Sequence, residues 1–197
     1  MSKTVEFFFD LGSPASYLAW TQLPRICTEH GARLVLRPML LGGVFQATGN
    51  SSPASIPAKG RYFFKDLHRY ARRYGVPLKF NEHFPINTLG LMRAAVGVQM
   101  RQPQRFEVWL DVMYRAMWAQ GRNLGDPVVI AQVLEEGGFE ADGFAALVAD
   151  PEVKAALKSV TDEAVSRGVF GAPSCFVGDE MFFGQDRLEF VVEALKG

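Results

Sequence analysis

Apolar and polar positions divide the chain into three stretches of different period. Residues 4–9, TVEFFF, are β-branched or aromatic apart from Glu6 and read as a buried strand. The run stops at Asp10 and Gly12. Pro14 then stands where a first helical turn tolerates it, because the N–H it lacks would have no partner there. Tyr17, Leu18, Trp20, Leu23, Ile26 and Cys27 continue at helical spacing to the stop signal Gly31, with a kink expected at Pro24. Residues 32–38, ARLVLRP, give a second strand ended by Pro38, so the stretch reads as a βαβ unit.

The period then changes. Residues 42–57 are rich in Gly, Ser and Pro and read as a loop. From Lys59 to about Pro151 only helical spacing is found. Phe63, Leu67, Tyr70, Ala71 and Tyr74 share one face before Gly75 and Pro77. Asn87 suits the cap of a helix through Met100, and Pro103 opens another carrying Phe106, Trp109, Leu110, Met113 and Met117. Asp126-Pro127 and Asp150-Pro151 each pair a capping acid with a first-turn proline. The last helix of this block is expected to end at Gly168. Two short strands return at 174–178 and 180–184 around Gly178-Asp179, and a helix closes the chain from about Asp186 to Leu195. This is an α/β pattern of order βαβ, helices, ββα. One lobe takes residues 1–41 plus 155–197 and a helical insertion lobe takes 42–154, within a single folding unit.

Composition narrows the function classes. The 197 residues are 48% apolar and 21% charged with zero net charge, which calls for neither nucleic acid nor an anionic membrane as partner. No apolar run approaches the ~20 residues of a membrane helix. The short, acidic start is unlike a signal peptide, and Cys27 and Cys175 form no C-x-x-C pair, so a reduced, cytoplasmic protein is expected. His30, His68 and His83 show no ligand spacing, and no metal is expected. Both cysteines read as inert buried thiols.

Three places can carry chemistry. Ser13 precedes Pro14 at a strand-to-helix junction, where it either caps the helix or donates a hydrogen bond to a thiolate brought from outside. With cysteines at 13 and 16 the junction would suit disulfide exchange; with serines it cannot do redox chemistry itself. In VFGAPSCFV, residues 169–177, Pro173 is either an ordinary turn proline or a cis proline that leaves the backbone of Ala172 free for an extended peptide. In FFGQDRLEF, residues 182–190, Gln185 and Asp186 open the last helix. They either cap it or hold the carboxylate and ammonium of an amino-acid end.

Taken in chain order, FFFDLGSPASYLAW, LRPMLLGGVFQATGN, IPAKGRYFFKDL, FPINTLGLMRA, GVFGAPSCFV and FFGQDRLE resemble the glutathione-dependent 2-hydroxychromene-2-carboxylate isomerases and the kappa-class glutathione transferases. The resemblance covers essentially the whole chain. It implies a thioredoxin-like fold interrupted by a large all-helical insertion, glutathione as cofactor, and a homodimer. It further implies that Ser13 bonds the glutathione sulfur, and that Asn50 and Lys59 of the insertion close over the tripeptide. By the same resemblance Ala172, before Pro173, is expected to pair with its cysteine, and Gln185 and Asp186 to grip its γ-glutamyl end. Kappa transferases usually have serine where Gln185 stands.

The isomerase reaction interconverts a cyclic hemiketal acid and an open trans-benzylidenepyruvate, the acid being a naphthalene catabolite or another small aromatic acid. Lys59 and Asn87 are candidates to stabilise enolate charge in it. The excess of Lys and Arg over residues 59–74 reads as a solvated face except at Lys59. Met92, Met113, Met117, Trp109 and Trp118 read mostly as core. Two rival readings are a kappa-like transferase that releases a conjugate and a non-catalytic thioredoxin-like binding module.

Overall fold

A computed structural model describes residues 3–197. Four strands, β1 (Thr4–Phe9), β2 (Arg33–Pro38), β3 (Ser174–Val177) and β4 (Glu180–Phe183), make one sheet in the order β2-β1-β3-β4. β2 runs parallel to β1 with Phe7 opposite Leu36, and β3 runs antiparallel to β1 with Phe7 opposite Cys175. β4 pairs with β3 as a hairpin through Gly178, whose φ of 62° suits glycine.

The central place of β1 explains its unbroken aromatic run, because a strand covered on both faces has no polar side. Phe7 and Phe9 stack with ring centres 5.0 Å apart on one face. Phe8 meets Phe176 edge-on at 5.6 Å on the other. Glu6, the polar exception, binds Arg167 at 2.9 Å, and the Arg167 guanidinium lies 3.9 Å over the Phe176 ring.

The first helix differs from expectation. Instead of one kinked helix there are two, α1 (Pro14–Trp20) and α2 (Leu23–Glu29). Pro24 has no N–H to offer Trp20, so a continuous helix would lose a rung; it sits instead in the first turn of α2. The Thr21 hydroxyl donates to Leu18 O at 2.7 Å and finishes α1.

Residues 42–57 depart further: α3 (Leu41–Thr48) occupies the first half of the expected loop. Gly42 and Gly43 weaken helix propensity, but tertiary contacts override it. Val44 is fully buried beside Phe8 and Met39, and a Cβ on Gly43 would come within 3.2 Å of the Thr161 methyl. Glycine there permits close approach to a later helix. Gly49, at φ 70°, ends α3.

The helical block follows the sequence signals closely. α4 (Pro57–Tyr74) ends at Gly75, and α5 (Leu89–Arg101) begins where Asn87 Oδ1 accepts the Leu89 N–H at 3.0 Å. α6 (Phe106–Tyr114) runs into a π-helical turn, Arg115–Ala119. α7 (Pro127–Glu136) is capped by Asp126, α8 (Asp142–Ala149) follows, and α9 (Pro151–Ser166) is capped by Asp150. A 3-10 turn over Gln185–Arg187 leads into α10 (Leu188–Lys196). Met92, Met113, Met117, Trp109 and Trp118 are all buried core.

Thr161 of α9 fixes where α3 starts: its Oγ1 accepts the Leu40 N–H at 3.0 Å and donates to Leu157 O at 2.8 Å. Thr161→Val leaves that N–H without a partner. Urea denaturation is expected to show a loss of about 1–3 kcal/mol.

Candidate active site

β1 ends at Phe9, and the chain must turn within four residues to start α1. Each backbone group buried in that turn needs a partner. Leu11 N–H points at the Met92 sulfur at 3.3 Å, and Leu11 O accepts from the Trp118 indole at 2.8 Å. Ser13 N–H donates to Asp10 O at 3.0 Å, while Gly12 N–H donates to Asp10 Oδ1 at 2.8 Å. The other carboxylate oxygen of Asp10 accepts the Leu41 N–H at 2.8 Å. The turn is therefore gripped by its own acid, by α5, by the π turn and by the start of α3.

Ser13 ends this turn, and both readings of its hydroxyl meet at one atom. Oγ accepts the Ser16 N–H at 3.1 Å, which is the helix cap, and donates to Ala172 O at 3.0 Å. Ser13 is 5% exposed. Of the first-turn amides of α1, Pro14 has none, Ser16 and Tyr17 donate to Ser13, and the Ala15 N–H has no partner among the described residues. That amide and the Ser13 proton are the donors an incoming anion meets.

The Ala172–Pro173 bond is cis, as one of the two sequence readings had it. Ala172 O is taken by Ser13, but its N–H carries no hydrogen bond among the described residues. A second cis bond, Phe84–Pro85, was not anticipated. Gly171 leaves no room for a side chain, since a Cβ would lie 2.7 Å from the Phe183 ring.

Two more candidates are tied to this turn. Asn50 Nδ2 donates to Phe170 O at 2.8 Å, which brings the insertion within two residues of Ala172. Gly184, at φ 105°, donates its N–H to Pro173 O at 3.0 Å and so sets Gln185 and Asp186 beside it. The N–H groups of Gln185 and Asp186 are unpaired among the described residues. The Asp186 carboxylate does not cap the turn; it meets Arg187 at 2.6 Å.

Lys59 and Asn87 are different. Lys59 is exposed on the first turn of α4, without an ion pair among the described residues. Asn87 is also exposed; it stands one residue before the N-cap, Thr88, and its Oδ1 accepts the Leu89 N–H. No hydrogen bond joins either to the Ser13 turn.

Sequence reasoning missed three residues that shape the site. Asp10 is 1% exposed, and burial raises its carboxyl pKa while Gly12, Leu41 and Thr88 pull it back. Thr88, buried, sets its methyl against Gly12, where a Cβ would lie 2.9 Å away. Tyr74 donates to Gln185 O at 2.6 Å, and burial pushes its phenol up to about 12, so it remains a donor.

A model of the DsbA-like thioredoxin domain matches residues 4–196. The chain belongs to this family. Within it, a 2-hydroxychromene-2-carboxylate isomerase of Sphingobium xenophagum is 32% identical, over 97% of this chain and 97% of the relative. The human glutathione S-transferase kappa 1 is 30% identical, over 99% of this chain and 92% of that protein. A solved 2-hydroxychromene-2-carboxylate isomerase superposes with a TM-score of 0.85 at 29% identity, covering 98% of this chain and 94% of that one. The thioredoxin-like DsbA fold implied by the sequence motifs is thus shown.

This member carries no thiol at its serine junction. Cys27 and Cys175 are both buried, and burial pushes the Cys27 thiol up to about 11 and the Cys175 thiol further still. Raised thiols stay protonated and unreactive at neutral pH. An aromatic disulfide reagent at pH 7–8 is expected to label neither cysteine in the native protein and both after unfolding in denaturant. Fast native labelling of Cys175 would show that β3 opens next to the site.

Proposed function

We propose that the protein is a glutathione-dependent isomerase acting on 2-hydroxychromene-2-carboxylate or a related aromatic acid, with Ser13 positioning the glutathione thiolate. One observation carries this reading. A buried serine hydroxyl faces the cis Ala172–Pro173 turn at a junction that has no thiol of its own. The unpaired N–H groups of Ala15, Ala172, Gln185 and Asp186 suit an anionic, extended peptide. Asn50 reaches the turn through Phe170 O, Lys59 of the exposed first turn of α4 is assigned to close over the peptide, and Asp186 offers a carboxylate to the γ-glutamyl ammonium. The backbone N–H of Gln185 is available whichever side chain stands there.

A free thiol with pKa ~8.5 is only a few per cent ionised at neutral pH, and lowering it by ~2 units takes ~2.7 kcal/mol of differential stabilisation. Ser13 has a single proton, which in the resting structure goes to Ala172 O. Turning it to a thiolate gives up a neutral hydrogen bond worth about 0.5–1.5 kcal/mol for a charge-assisted one worth about 1.5–3 kcal/mol. Oγ can keep accepting from Ser16 meanwhile. The remaining stabilisation falls to the Ala15 amide and the positive end of the short α1.

The reaction needs a double bond to change geometry. The thiolate adds to the benzylic carbon of the open enone, and the π electrons pass through the carbonyl to an enolate oxygen. The former double bond is now single and rotates. Collapse of the enolate expels the thiolate and restores the double bond, so glutathione is regenerated. Lys59, with Asn87 as second donor, is assigned to the enolate charge.

Similarity to the human kappa-class enzyme supports a second reading, in which the same thiolate is consumed in a conjugate. Counting glutathione during turnover separates them. Isomerisation leaves its concentration unchanged, whereas transfer removes one glutathione per product. For the thiolate itself, the ultraviolet absorbance of bound glutathione is followed against pH in the wild type and Ser13→Ala. The variant is expected to titrate above the wild type, toward the free value of ~8.5, and to isomerise more slowly at neutral pH in proportion to the thiolate it loses. An unchanged titration removes Ser13 from the role.

A further inference from the structure

Asp10 is an acidic side chain in the interior, 1% exposed, with no ion pair among the described residues. What faces it is dipolar: the Gly12 N–H on Oδ1, the Leu41 N–H on Oδ2, and the Thr88 hydroxyl. These donors come from three separate segments, the Ser13 turn, the start of α3 and the residue before α5. Tyr114 of α6 is the titratable group that faces it, with its phenol 3.5 Å from Asp10 O and its own pKa raised by burial and by the Asp10 charge. The same turn places Ser13, whose amide is held by Asp10 O.

We propose that the ionised Asp10 carboxylate is the positioning residue of this site. It clamps the serine turn to α3 and α5, so that Ser13 Oγ is held between Ser16 and Ala172. The proposal deepens the glutathione reading and rests on it for its consequence at the sulfur; the clamp itself does not depend on glutathione.

The electrostatics argue against a purely stabilising role. Burial is the largest influence on the Asp10 carboxyl and raises its pKa above the ordinary 3.8. A carboxyl with a raised folded pKa favours folding most when protonated. Its contribution is full below the unfolded pKa and declines as pH rises through the folded value. Wherever the carboxyl is ionised its charge therefore costs stability, while the two N–H contacts it makes require an acceptor on both oxygens. An amide in its place presents one acceptor and one donor, and the donor opposes either Gly12 or Leu41.

Asp10→Asn tests this with two measurements. Amide hydrogen exchange at Gly12 and Leu41 is expected to quicken at least ~10-fold, the equivalent of ~1.4 kcal/mol, while Phe7 and Phe176 in the sheet stay protected. The pKa of bound glutathione is expected to rise by at least ~0.5, about a threefold loss of thiolate. A nearby charge acting only through space predicts the opposite, since its removal would lower the thiol pKa. A merely structural residue predicts no change once the protein is folded. Either result overturns the proposal. If the wild type binds no glutathione, the functional reading fails, and the exchange rates alone sustain or overturn the clamp. If Asp10→Asn does not fold, Thr88→Val and Thr88→Ser decide. Exchange at Gly12 and Leu41 quickened by the first and restored by the second sustains the clamp; equal behaviour of the two overturns it.

Discussion

One hydroxyl joins the two halves of the sheet at the place where chemistry is proposed. Ser13 Oγ accepts a hydrogen bond from the Ser16 amide and donates one to Ala172 O, 159 residues away in sequence. Capping and cross-chain tethering are therefore not competing descriptions of this serine. The cap fixes the oxygen, and an oxygen so fixed has its single proton directed at the cis-proline turn. The oxygen is thereby preorganised, and an arriving anion asks only that its proton turn away from Ala172 O.

The surrounding contacts explain why the hydroxyl holds its position. Its turn carries four backbone attachments to α5, the π turn, α3 and Asp10, and the facing turn is held by Asn50 through Phe170 and by Gly184 through Pro173. Tyr74 adds a clasp from α4 to Gln185. Residues of the helical block thus reach both walls of the cleft through hydrogen bonds to backbone groups. Such bonds specify geometry without depending on which side chains line the floor.

Much of this is legible in the sequence. Pro14, Asp126-Pro127 and Asp150-Pro151 mark helix starts through local chemistry, and each lies where its signal put it. The aromatic run of β1 announced a strand buried on both faces. The split of the first helix at Pro24 is local chemistry, but the other departures share a cause, which is that tertiary contacts outweigh a local signal. Gly42 and Gly43 read as loop because glycine lacks helix propensity, whereas at Gly43 the close approach of Thr161 needs the side chain to be absent. Asp10 read as the end of a strand because nothing in its neighbours foretells that Leu41 and Thr88 will turn their donors toward it. Tyr74 was placed correctly on a helix face, but its partner, Gln185, lies 111 residues on.

The distribution of sulfur and oxygen ties the fold to the proposed chemistry. Cys175 lies in β3, two residues beyond Pro173, where burial beside Phe7 keeps its thiol protonated. The chain thus has a thiol close to the cleft in sequence and withholds it from reaction by desolvation. Ser13 stands where a thiol would be activated, at the mouth of a helix beside a free amide, yet a serine hydroxyl stays neutral at any physiological pH. A cysteine at that position would satisfy the amide with its own charge. A serine leaves the same donors unspent, and they stabilise whatever anion the cleft admits. On the proposed reading that anion is the glutathione thiolate, and catalysis without loss of the cofactor follows from the sulfur belonging to a molecule that the site only has to hold.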